Sequence, residues 1–74
     1  MSYDYSKLIG RIKEKCGTQS AFSEKMNLSE RTISLKLNNK IEFSQNEIVR
    51  AVAVLGLKDS DIQRYFFAPL VHSD

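Results

Sequence analysis

The sequence predicts a small all-α domain, a compact five-helix bundle occupying residues 1–74. Three observations predict it. Apolar residues recur three and four apart in several segments, which is the period of one helix face. Capping residues stand before those segments, and glycine or asparagine stands after most of them. Residues 18–39 read as two short helices joined by a tight turn, a helix-turn-helix.

The first helix is expected from about Tyr5 to Lys15, with Asp4 as its cap. Tyr5, Leu8, Ile9, Ile12 and Cys16 form an apolar stripe along it. Lys7, Arg11 and Lys15, four apart, form a second stripe that either meets phosphate or is a plain solvated face. Gly17 ends this helix. Thr18 caps the second, because its side-chain oxygen can accept from backbone N–H groups with no partner inside the helix. Phe22 and Met26 share the buried face of that helix. Asn27 marks its stop, since asparagine tolerates the left-handed conformation. Leu28 plugs the core from the turn.

Ser29 caps the third helix, expected from about Glu30 to Asn38, and Asn39 offers another left-handed stop. At about 100° per residue, Ile33 and Leu37 fall on one side, and Arg31, Ser34, Leu35 and Asn38 fall on another. The second set combines a cation, a hydroxyl, an apolar tip and an amide. Such groups can read base edges and phosphates in a DNA major groove.

Residues 39–43 are a loop anchored by Phe43. The run S-Q-N-E at Ser44 is a capping box for the fourth helix. Ile48, Val49, Val52 and Leu55 are its expected buried face, and Gly56 stops it. A short fifth helix follows, capped by Asp59 or Ser60 and ending near Tyr65 or Phe66, with Leu57 and Ile62 as core candidates. Residues 65–71, Y-F-F-A-P-L-V, are too apolar to hide wholly beneath one small domain. Pro69 keeps them from continuing the helix. Residues 62–71 are therefore a candidate dimerisation segment, with Phe67, Leu70 and Val71 facing the partner.

Composition narrows the function. One cysteine excludes an internal disulfide framework and fits a reducing compartment. No basic-then-apolar signal peptide opens the chain, and no apolar run approaches the ~20 residues that span a bilayer. A cytoplasmic location with no membrane contact is the expectation. Residues 7–40 carry eight basic and three acidic side chains, whereas residues 41–74 carry three and five. With a helix-turn-helix in the basic half, that split suggests a polyanionic partner. No enzyme signature is present. The lone His72 lies in the tail, no Cys/His cluster has zinc-like spacing, and the three glycines are isolated. Neither cofactor, metal nor small-molecule ligand is expected.

Gln19, Phe22, Met26, Leu28, Ser29, Thr32, Ile33, Ser34 and Asn38 carry a T-Q-x-x-hydrophobic … S-x-x-T-I-S pattern. This pattern resembles that of the Cro/repressor (Xre-like) helix-turn-helix family, and the chain looks like its small Cro-like bacteriophage members. The resemblance implies a lambda-repressor-like bundle. Three departures stand out: Ser23 where the family usually has Ala, Asn27 and Asn39 where Gly is usual, and Lys36 where an apolar residue often packs, with Leu37 in its stead.

The implied function is transcription regulation by a homodimeric repressor on a pseudo-palindromic operator. Two recognition helices would enter major grooves about 34 Å apart. The residues implied in DNA contact are Gln19, Ser29, Glu30, Arg31, Thr32, Ser34, Leu35, Asn38 and Lys40. Arg31 leads for guanine readout, Gln19 reaches phosphate, and Asn38 and Lys40 meet phosphate beyond the helix. Glu30 can instead be an acid favoured by the helix dipole. A rival reading is an antirepressor, a module that binds another phage repressor rather than DNA. Leu35 and Glu30 on the presumed reading face support it. A toxin–antitoxin-type autoregulator is a third reading.

Overall fold

Capping side chains set where the helices begin. In a computed structural model, which describes residues 2–70, there are five helices. They are α1 (Ser6–Cys16), α2 (Gln19–Met26), α3 (Glu30–Leu37), α4 (Gln45–Leu55) and α5 (Ile62–Phe66), the last entered through a 3-10 turn at Asp59–Asp61. Thr18 Oγ1 accepts from Ala21 N–H at 3.0 Å, and Ser29 Oγ accepts from Thr32 N–H at 3.1 Å. At α4 the capping box is complete. Ser44 Oγ accepts from Glu47 N–H at 3.2 Å, and Glu47 Oε1 accepts from Ser44 N–H at 2.8 Å. The stops also follow the sequence: Asn27, Asn39 and Gly56 are left-handed, at φ 58°, 62° and 64°.

The entry to α1 differs from expectation. The helix starts one residue later, at Ser6, with Tyr5 rather than Asp4 as its N-cap and no side-chain cap bond, while Asp4 Oδ1 accepts from Ser6 N–H at 2.9 Å. Tyr5 is buried, as the apolar stripe implies, and packs edge-to-face on Phe43, with ring centroids 5.6 Å apart.

One core joins all five helices. Leu8 and Ile12 of α1, Phe22 and Met26 of α2, Ile33 of α3, Ala51 and Leu55 of α4 and Phe66 of α5 are fully or almost fully buried. Phe43, Leu28, Val52, Leu57 and Ile62 pack half-buried against them. Val49 is a correction: it is 66% exposed. The buried face of α4 is Ile48, Ala51, Val52 and Leu55, spaced i, i+3, i+4 and i+7. Val49 lies one step outside that arc, and Ala51, inside it, is fully buried. Ile9 also sits at the stripe's edge and is exposed.

Three long basic side chains tie the helices and loops together. Arg11 Nε donates to Leu55 O at 3.0 Å and its Nη2 to Gly56 O at 3.4 Å, capping the end of α4 from α1. Its Nη1 also pairs with Glu14 at 2.6 Å. Arg11 is thus a structural brace, not one of three equivalent free cations with Lys7 and Lys15. Arg50 Nη1 donates to Met26 O at 2.7 Å, doing for α2 what Arg11 does for α4. Lys36 is 6% exposed. Its Nζ meets Glu47 Oε1 and the Glu42 carbonyl oxygen, each at 2.8 Å, and lies 5.7 Å from the centre of the Phe43 ring. Lys36 therefore occupies the core margin alongside Leu37 rather than yielding that place to it.

The two ends of the described chain meet. Asn39 accepts from Tyr3 N–H through Oδ1 and donates to Tyr3 O through Nδ2, both at 2.9 Å. Tyr3 forms an isolated antiparallel bridge with Pro69, and Asp4 N–H donates to Ala68 O at 2.8 Å. This closure ties the segment before α1 to the one after α5 and to the turn after α3.

Candidate functional site

Two surfaces carry chemistry that the core does not use. The first is the outward side of α3. Arg31 and Asn38 are exposed, and Ser34 and Leu35 are half-buried. Glu30 is exposed in the helix's first turn, where its charge suits the helix dipole. Several polar groups here are already engaged within the chain. Ser29 Oγ donates to Thr32 Oγ1 at 2.8 Å, and Asn38 Nδ2 donates to Ser34 O at 2.8 Å. Gln19 is half-buried at the start of α2, and Lys40 is exposed beyond α3. The surface left open to a partner presents two cations, Arg31 and Lys40, and one acid, Glu30.

The second surface is an aromatic cleft. Tyr3, Tyr5, Glu42, Phe43, Ile48, Phe66 and Phe67 line a shallow space of about 320 Å³ counted to its open mouth. Its walls are interlocked rings. Tyr3 meets Phe67 edge-to-face at 5.6 Å, and Phe43 meets Phe66 the same way at 5.3 Å. Glu42 makes no ion pair among the described residues; only its backbone carbonyl is engaged, by Lys36. Burial pushes the Tyr5 hydroxyl above its ordinary pKa, and the neighbouring Tyr3 and the Glu42 charge push it further the same way. The cleft is thus walled mainly by aromatic rings, with Glu42 as its one acidic lining residue.

Sequence reasoning did not find this cleft. Its walls come from the start of the chain, the loop after α3, and the segment ending α5, which no short spacing pattern connects. One available signal was the crowding of aromatics at both ends: Tyr3, Tyr5, Tyr65, Phe66 and Phe67 are five of the seven aromatic residues. Phe67 and Leu70, expected at a partner surface, are partly exposed; Val71, expected with them, and His72 lie outside the described residues. No helix among the described residues is long and apolar enough to cross a membrane.

The family described as "Protein of unknown function (DUF739)" matches residues 1–69. The chain belongs to the DUF739 family. A similar solved structure is the solution structure of the modulator of repression (MOR) of the temperate bacteriophage TP901-1 from Lactococcus lactis. It is 58% identical, the match covers 97% of each chain, and the TM-score is 0.81. None of the curated proteins matches.

These findings correct two expectations. The resemblance to the Cro/repressor family does not hold as membership: the chain is a DUF739 protein, with a modulator of repression as its relative. The DNA-binding Cro-type repressor is overturned as well, and the antirepressor reading fits the relative better. The physical reason lies in what the pattern encodes. T-Q … T-I-S specifies two caps, a buried face and a left-handed turn, and the chain adopts all of these. Those features fix the shape of a helix-turn-helix and leave the use of its outer face undetermined. The bacteriophage association and the all-α bundle stand.

Proposed function

We propose that this chain modulates phage repression by binding a repressor protein. The observation that carries the reading is the match to the modulator of repression, at 58% identity over 97% of both chains. That identity is spread over nearly the whole length of both chains, so the likeness extends beyond the helix-turn-helix. The α3 face, for its part, leaves few of its polar groups free for DNA. Two of the hydroxyls implied in DNA contact bond each other, Asn38 is bonded back into its own helix, and half-buried Leu35 gives the face an apolar component. The mechanism is occupancy: a DUF739 chain seated on the repressor changes how much of it is available to its operator.

Calorimetric titration of the purified chain into the repressor of bacteriophage TP901-1, without DNA, tests this. The expected result is a stoichiometric complex with affinity of about micromolar or tighter, of the order found for standard-size interfaces. Absence of heat or of co-migration at concentrations about a hundredfold higher overturns the reading.

A further inference from the structure

We propose that the aromatic cleft bounded by Tyr3, Phe43 and Phe67 receives an arginine or lysine side chain from the repressor's DNA-contacting surface, with Glu42 as its counter-charge. This rests on the reading that the partner is a repressor. A protein that binds DNA must present Lys and Arg to phosphates. A protein that covers such a surface must replace those phosphates with acceptors of its own.

The two open surfaces differ in that respect. The α3 face presents Arg31 and Lys40 against one acid, so it meets a basic partner with like charge. The cleft presents the Glu42 carboxylate with no counter-ion among the described residues. The Lys36 ammonium, which meets the Glu42 backbone carbonyl, is already matched by Glu47 at 2.8 Å. Ring faces attract cations, and the long stem of an arginine or lysine covers apolar surface while its head reaches the charge at the rim. The cleft is open to solvent on one side, so the end of such a side chain can enter it from a partner surface.

The surroundings suit an anchor. Ile41, Phe67 and Leu70 are 42%, 38% and 42% exposed. Each is carried by a segment tied to Tyr3: Ile41 follows the Asn39 clamp, Leu70 follows the Pro69 bridge, and Phe67 packs on the Tyr3 ring. A charged side chain seated among apolar residues that exclude water is the arrangement of an interface hot spot.

The test is affinity for the TP901-1 repressor, measured by calorimetry without DNA. Glu42→Gln, Glu42→Lys, Phe67→Ala and Arg31→Ala are compared with the unaltered chain, and circular dichroism verifies that each folds. The Glu42 side chain makes no hydrogen bond or ion pair within the described residues, so Glu42→Gln removes the charge and leaves the bundle intact. Expected losses are about tenfold or more for Glu42→Gln and Phe67→Ala, larger for Glu42→Lys, and under about twofold for Arg31→Ala. If the unaltered chain binds but Glu42→Gln stays within about twofold of it, the cleft proposal is overturned and the repressor reading survives. A loss confined to Arg31→Ala moves the contact to α3 and has the same consequence. No binding by the unaltered chain removes both. Sedimentation showing that Phe67→Ala splits a self-dimer, with repressor affinity unchanged, assigns the cleft to a second copy and also overturns the proposal.

Discussion

Lys36 shows how much one side chain settles. In sequence it is a charge where an apolar residue often packs, and Leu37 reads as its substitute. In the structure both are buried, because the stem of Lys36 fills the core margin while its ammonium crosses to α4. No local pattern signals this, since the pairing depends on how the loop between α3 and α4 folds back. Breaking such a pair leaves a poorly solvated charge behind. Lys36→Ala is expected to lower stability by about 2–4 kcal/mol in urea unfolding, and Lys36→Met by less because it restores the stem's packing. The pair also gives stability a pH dependence. Partial burial would push the Glu47 carboxyl up, but the Lys36 ammonium and the Ser44 groups outweigh it and hold the carboxyl below its usual value of 4.5. A depressed folded-state pKa contributes stability that is present above pH 4.5 and is lost as pH falls through the folded value. Glu47→Gln should therefore show a flatter stability profile than the unaltered chain in urea titrations below that pH.

At the scale of elements, caps and stops were the most legible features. Thr18, Ser29 and Ser44 start helices, and Asn27, Asn39 and Gly56 are left-handed where the sequence places the ends. These signals are legible because each acts within four residues. Asn27→Val is expected to cost about 1–2 kcal/mol, since a β-branched residue fits the left-handed region poorly, whereas Asn27→Gly should stay within about 0.5 kcal/mol. Thermal melts of the two variants check this. Burial on α4 was less legible. Val49 is more apolar than Ala51, yet Val49 faces water and Ala51 faces the core, because angular position outranks hydropathy. Val49→Gln should change stability by no more than about 0.5 kcal/mol, and Ala51→Leu should cost about 1–3 kcal/mol by overpacking. Equal effects of the two in chemical denaturation would contradict this orientation of α4.

Over the whole molecule, the bundle was readable and its working surface was not. The number and order of helices follow from local signals. The cleft depends on Tyr3, Phe43 and Phe67, which only the closure of both ends brings together. That closure also predicts protection from exchange. The Asp4 amide, bonded to Ala68 O, should exchange slowly, and Tyr3→Ala should accelerate it while leaving amides in α2 and α3 slow. The helix-turn-helix pattern carried a family resemblance that the family match replaced, because the pattern describes how two helices pack and not what they touch.

The most direct measurement starts from a preformed complex of the TP901-1 repressor with labelled operator duplex, followed by anisotropy as this chain is added. Binding to the repressor predicts a concentration-dependent change in the bound fraction, while the chain alone leaves the free duplex signal unchanged. An unaltered repressor–operator signal, together with a salt-sensitive rise when the chain meets duplex by itself, would contradict the account.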